Sequence, residues 1–122
     1  ICPTNPFWFE FLEVKIRELL EVIPDFAGII ASPATRESKV SISANPCDCE
    51  RCQSTDNEAW YKQLIQAMYK PLAERGKTLI VRDFTYTTTE QGAVVAAASQ
   101  VSPDIVVALK NTSARFLADL SA

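Results

Sequence analysis

The segment "NPCDCERCQ", Asn45 to Gln53, carries Cys47, Cys49 and Cys52, three of the four cysteines in the chain. Thiolates are soft, strongly donating ligands, and four of them complete a closed tetrahedral site of the structural zinc type. The fourth cysteine, Cys2, stands near the start in "ICP". Four cysteines equally permit one or two disulfides, or a set of reduced thiols. The Cys-x-Cys-x2-Cys spacing differs from the familiar paired knuckle, so spacing alone leaves all three outcomes open. A catalytic thiol is disfavoured, because the chain has no histidine to act as its general base. Arg51 could still lower the pKa of a neighbouring thiol.

The missing histidine also excludes a self-contained Ser-His-Asp triad, a zincin site and imidazole acid–base work within this chain. Carboxylates remain. Where they would act depends on the elements that carry them.

Asn5 is placed to cap a first helix with Pro6 in its first turn, and Phe7, Phe11, Leu12, Ile16, Leu19 and Leu20 form its expected inner stripe. The pattern stops near Pro24, and "FAGIIAS" reads as a short strand buried on both faces, as in a helix-covered parallel sheet. A polar segment from Pro33 to Asp56 reads as a structured loop, with "KVSIS" as a small extended piece. Thr55 and Glu58 have capping-box spacing for a second helix with Trp60, Leu64, Ala67, Met68 and Leu72 inside. Gly76 ends it before the strand "TLIVRDF". Thr87 and Glu90 repeat the box before "AVVAAASQV", Pro103 closes that helix, and "DIVVALK" is a third strand. A last helix is expected from Ser113, with Phe116, Leu117 and Leu120. Trp8 and Trp60 fall at helical spacings that suit packing.

The alternation gives an α/β fold class of parallel βαβ units. With 122 residues, the chain spans one domain, either a small three-layer domain or part of a (β/α)8 barrel. A complete barrel needs roughly 250 residues, so about half a barrel is what this length supplies. Its cut edges would expose unpaired strand groups. The half-barrel reading therefore expects a homo-oligomer or the remainder of a parent barrel as partner. The chain opens "ICPTNPFW" without an initiator methionine, which leaves room for an upstream part. A net charge of -3 argues against a nucleic-acid partner. No apolar run approaches the ~20 residues that span a bilayer. Only three glycines are present, and none forms a phosphate loop.

Parallel α/β folds place ligands at the C-terminal ends of their strands. "SPATRES" brings Arg36 and Glu37 there, "RDFTYT" brings Arg82, Asp83 and Tyr86, and the third strand ends at Lys110. Glu37 and Asp83 are the carboxylate pair that glycoside hydrolysis would need, one as proton donor and one as orienting or activating group. Arg36, Arg82, Tyr86 and Lys110 are the substrate contacts, with a guanidinium suited to a sugar acid. Their bland counterparts are a solvated Glu37 and an Asp83 paired with Arg82 or Arg36. The thiol-rich loop lies on this same rim, and Cys2 joins it if "ICP" ends a preceding strand.

The segments "ICPTNPFWFEFLEVKIRELLEVIPDFAGIIAS", "VSISANPCDCERCQ" and "GKTLIVRDFTYT" together resemble the barrel domain of bacterial carbohydrate-active proteins related to alpha-glucuronidases. They also resemble neighbouring glycoside-hydrolase-like families that carry a Cys-x-Cys-x2-Cys loop. The resemblance implies the middle of a (β/α)8 barrel, a carbohydrate partner and hydrolysis of a polysaccharide or acidic sugar by the whole barrel, with no cofactor in the reaction. The rival expectations are a non-catalytic carbohydrate-binding or structural α/β domain, and a metal-stabilised scaffold in which Cys2, Cys47, Cys49 and Cys52 hold a structural zinc.

Overall fold

Asn5 starts helix α1, Pro6–Val22, by accepting the Phe7 N–H on its side-chain oxygen at 3.0 Å. A computed structural model describes residues 2–33, 45, 47–82 and 88–109, with only the backbone of residues 88–90. After α1 come β1 (Gly28–Ala31), α2 (Glu50–Ser54), α3 (Asn57–Glu74), β2 (Thr78–Arg82), α4 (Thr88–Val101) and β3 (Val106–Ala108). The three strands form one parallel sheet in the order β1-β2-β3, with Ile30 opposite Ile80 and Ile80 opposite Val106. This is an open α/β sheet of three strands. A closed barrel of eight is not what the described residues form.

The strand order advances in one direction, and crossovers of one hand then lay α3 and α4 against the same face. Burial agrees. Leu79 and Val81 are fully buried and Ile29, Ala31 and Val107 pack beside them against α1, α3 and α4. The alternate residues Ile30 and Val106 are 66% and 49% exposed. One sheet face is therefore the core, and the other is bare among the described residues. The expectation of strands buried on both faces is corrected accordingly. Gly28 is fixed by β-pairing: a Cβ there would run into the Thr78 carbonyl oxygen across the β1–β2 ladder.

Helix ends follow local chemistry. Gly76, at φ 66, lets α3 close with Gly76 N–H donating to Ala73 and Lys77 N–H to Leu72, a Schellman pair. The start of α3 differs from the expected Thr55/Glu58 box. Asp56 is the cap, accepting from Ala59 N–H at 2.8 Å, while the Thr55 hydroxyl donates back to the Arg51 carbonyl and ends α2. The Thr87/Glu90 box, the "KVSIS" piece and the helix from Ser113 lie outside the described residues.

Helix α1 keeps Leu12, Ile16 and Leu20 of its expected stripe inward and turns Phe7, Phe11 and Leu19 outward. Ile16 and Leu20 are buried, and Phe9 and Leu12 pack against the core. Phe7, Trp8, Phe11 and Leu19 are 40% exposed or more. The helix is apolar over more than half its circumference, so periodicity could not choose which side faces inward. The structure chooses the side that meets α3. Leu20→Ala should lower stability by about 2–5 kcal/mol, the range for a buried leucine. Its neighbour Leu19→Ala should cost only about 0.5 kcal/mol. Urea unfolding midpoints of the two variants check this assignment of faces.

Candidate metal centre

The residues "CPTN" make a turn, closed by Asn5 N–H donating to the Cys2 carbonyl at 3.2 Å, with Pro3 at its second position. Trp60, buried on α3, fixes this turn from below: its indole N–H donates to the Pro3 carbonyl at 2.8 Å. Cys2 is thereby held over the start of α2. On the other side, Cys49 caps α2, its sulfur accepting the Cys52 N–H at 3.4 Å, and Cys52 is buried one turn in. Cys47 enters just ahead of that cap.

All four sulfurs, of Cys2, Cys47, Cys49 and Cys52, lie within 4.8 Å of one another. Cys2 Sγ is 3.7 Å from Cys49 Sγ and 3.7 Å from Cys52 Sγ. A disulfide would bring sulfurs to ~2.05 Å, and all four cysteines are free. A tetrahedral ion with metal–sulfur bonds of ~2.3 Å separates its ligands by ~3.8 Å. The observed spacing matches that edge. It also suits one ion better than a multi-iron cluster, whose cysteines sit on separate irons and stand further apart. The donor set is all sulfur, so a thiophilic ion fits it and magnesium or calcium does not.

Hydrogen-bond donors surround the group. Thr4 Oγ1 lies 3.1 Å from Cys52 Sγ and 3.6 Å from Cys2 Sγ, and Arg51 Nη2 reaches Cys2 Sγ at 3.8 Å. The Thr4 hydroxyl is the main reason that the Cys2 thiol falls to about 6, with Arg51 and the neighbouring sulfurs adding to it against burial. At Cys47 the Cys49 backbone N–H lowers the pKa, but the sulfurs of Cys49, Cys52 and Cys2 outweigh it and push the thiol up to about 11. Cys49 is lowered, chiefly by the Cys52 N–H. Such a split is what four thiols at contact distance should show. The first thiolate formed makes the last one costly, and a bound cation removes that penalty.

Of the other expected site residues only Arg82 is among the described ones. Arg82 ends β2 on the Thr78/Ile80 side of the strand and is exposed. Arg36, Glu37, Asp83, Tyr86 and Lys110 lie outside the described residues. The sugar-cleaving reading gives way to the thiols: what the described chain assembles is a four-cysteine cluster able to hold a metal, and this fits a metal-stabilised scaffold better than a hydrolase site. Thr4 and α2 were missed by sequence reasoning. The signal for Thr4 was its place inside a proline turn next to Cys2. Trp60 was read as packing, which it is, but its indole N–H also anchors the turn. Trp8, read the same way, is 45% exposed.

The Trp60 anchor is testable. Trp60→Phe strands the buried Pro3 carbonyl and should cost about 2 kcal/mol or more. It should also speed alkylation of Cys2 relative to Cys52, read by peptide mass spectrometry after brief labelling. Equal labelling ratios in variant and wild type would count against the anchor.

No family model, no curated protein and no solved structure matches this chain, so the resemblance to alpha-glucuronidase-related barrels stands on the quoted segments alone.

Proposed function

We propose that this chain is a metal-stapled α/β scaffold, in which one zinc ion held by Cys2, Cys47, Cys49 and Cys52 ties the turn before α1 to the loop after β1. The mutual closeness of the four sulfurs carries this reading. Zinc is the ion that tetrahedral all-thiolate sites most commonly take, and four protein ligands leave it no open position for substrate. The ion would act on stability. It cross-links two segments far apart in sequence that share no strand pairing, and its binding free energy adds directly to folding.

The ion's expected effect is large. At a free zinc concentration 100 times its Kd, a site present only in the folded state adds about 2.7 kcal/mol. Zinc should therefore raise the unfolding midpoint of the reduced protein, with one equivalent bound per chain. Blocking the thiols should release it. Replacing Cys49 and Cys52 together by serine should abolish both effects. A reduced, folded wild type that takes up neither zinc nor cadmium at micromolar concentration overturns the proposal.

The bare sheet face favours a second element of the reading, namely that the scaffold is a segment of a larger (β/α)8 wall. Ile30, Ile80 and Val106 would then face the barrel interior, and further strands would cover the β1 and β3 edges. Ile30→Asp should leave the stability of this chain within about 0.5 kcal/mol, as at any solvated site. The same change in a longer polypeptide that closes the barrel should prevent folding. Equal tolerance in both, followed by urea unfolding, would remove the wall.

A further inference from the structure

Thr4 is a buried polar side chain, only 4% exposed. Its hydroxyl points at sulfur: Cys52 Sγ at 3.1 Å and Cys2 Sγ at 3.6 Å. A valine of the same shape would fill the space without a polar atom, so packing does not account for the hydroxyl.

The sulfurs show what it does. Cys49 Sγ receives the Cys52 N–H. The Cys49 N–H bears on Cys47. Arg51 reaches Cys2 from the exposed side. Cys52 is the most buried of the four, and a thiolate there meets neither water nor a backbone donor of its own α2 turn. Burying such a charge without a donor is costly. A hydroxyl has one proton, and a thiolate can only accept. The hydroxyl can turn to either sulfur: toward Cys2 it is what lowers that thiol, and when both are thiolates the shorter contact favours Cys52 and leaves Cys2 to Arg51. Among the described residues Cys49, Cys2 and Cys52 then each face a donor, and Thr4 supplies the one that the backbone of α2 does not give Cys52.

We infer that Thr4 is a positioning residue of the sulfur site: its hydroxyl donates to Cys52 Sγ, fixes the direction of that sulfur's remaining lone pairs, and holds the buried ligand ready for a metal ion. This rests on the metal-staple reading and extends it to a residue that touches no ion. Groups that hydrogen-bond metal ligands typically change metal affinity 10–100-fold when removed.

The experiment uses the whole reduced protein. Zinc affinity is measured by competition with a chromophoric chelator, and the cobalt-substituted protein is followed through its sulfur-to-cobalt absorption band. Thr4→Val should bind zinc 10–100-fold more weakly and shift the cobalt band, while its metal-free unfolding midpoint stays at or above that of wild type. Thr4→Ser should recover affinity to within about threefold, which a packing role would not produce. Should Thr4→Val fold poorly, Thr4→Ala read by the rate of chelator-driven zinc release answers the same question, with faster release expected. Wild-type affinity and an unchanged cobalt band in either variant overturn the role of Thr4 while leaving the staple intact. A wild type that binds neither zinc nor cobalt overturns the staple itself, and the inference with it.

Discussion

The structure turns on one buried hydrogen bond, from the Trp60 indole to the Pro3 carbonyl. Among the described residues those ahead of α1 lie in a turn rather than a strand or helix, and this hydrogen bond holds the turn that carries Cys2. Trp60 is in the core because α3 packs on α1 and β2. Its single donor has one place to go in that apolar setting, the carbonyl of a residue that makes no N–H of its own. Once the turn is seated, Asn5 caps α1, Thr4 is driven inward, and Cys2 overhangs α2. Ordinary hydrophobic packing thus becomes precise placement of a thiol, without that thiol contributing to the core.

Much of the architecture was legible because its signals were redundant. Each strand is a short apolar run between breakers, and Asn5–Pro6 and Gly76 are punctuation with a single physical meaning. The Thr55/Glu58 box failed for a reason of the opposite kind. Thr55 and Asp56 are both good caps and stand side by side, and the choice between them depends on α2, a five-residue helix with no apolar period to announce it. The face of α1 was legible at Leu12, Ile16 and Leu20 and not at Phe7, Phe11 and Leu19, because the helix carries apolar residues on two sides and only the position of α3 distinguishes them. The convergence of the cysteines was legible from topology, since the loop after β1 and the segment before α1 belong on one rim of a parallel unit. Their pairing was not, because spacing cannot tell a 3.7 Å contact from a covalent bond.

The same rim explains why a carbohydrate site was an attractive expectation. Parallel sheets gather polar residues at strand ends whatever their use, so Arg36, Glu37, Arg82 and Asp83 form a plausible set on any such chain. Position there is weak information until the groups are shown to face one another. The cysteines pass that stricter test through their sulfur-to-sulfur distances.

A four-sulfur site also constrains what the metal can be for. A catalytic zinc keeps a coordination position for water or substrate, whereas four thiolates close the shell and leave the ion formally anionic. A closed anionic centre is a poor Lewis acid, and its donors serve to disperse charge. Arg51, the two backbone N–H groups and the Thr4 hydroxyl are placed for that task, on the sulfurs and away from any open metal face. The open side of the sheet makes such a staple useful. Among the described residues the helices lie on one face, and α1 is held chiefly by its contacts to α3. A metal held by the four cysteines would add a second attachment, from the turn ahead of α1 to α2.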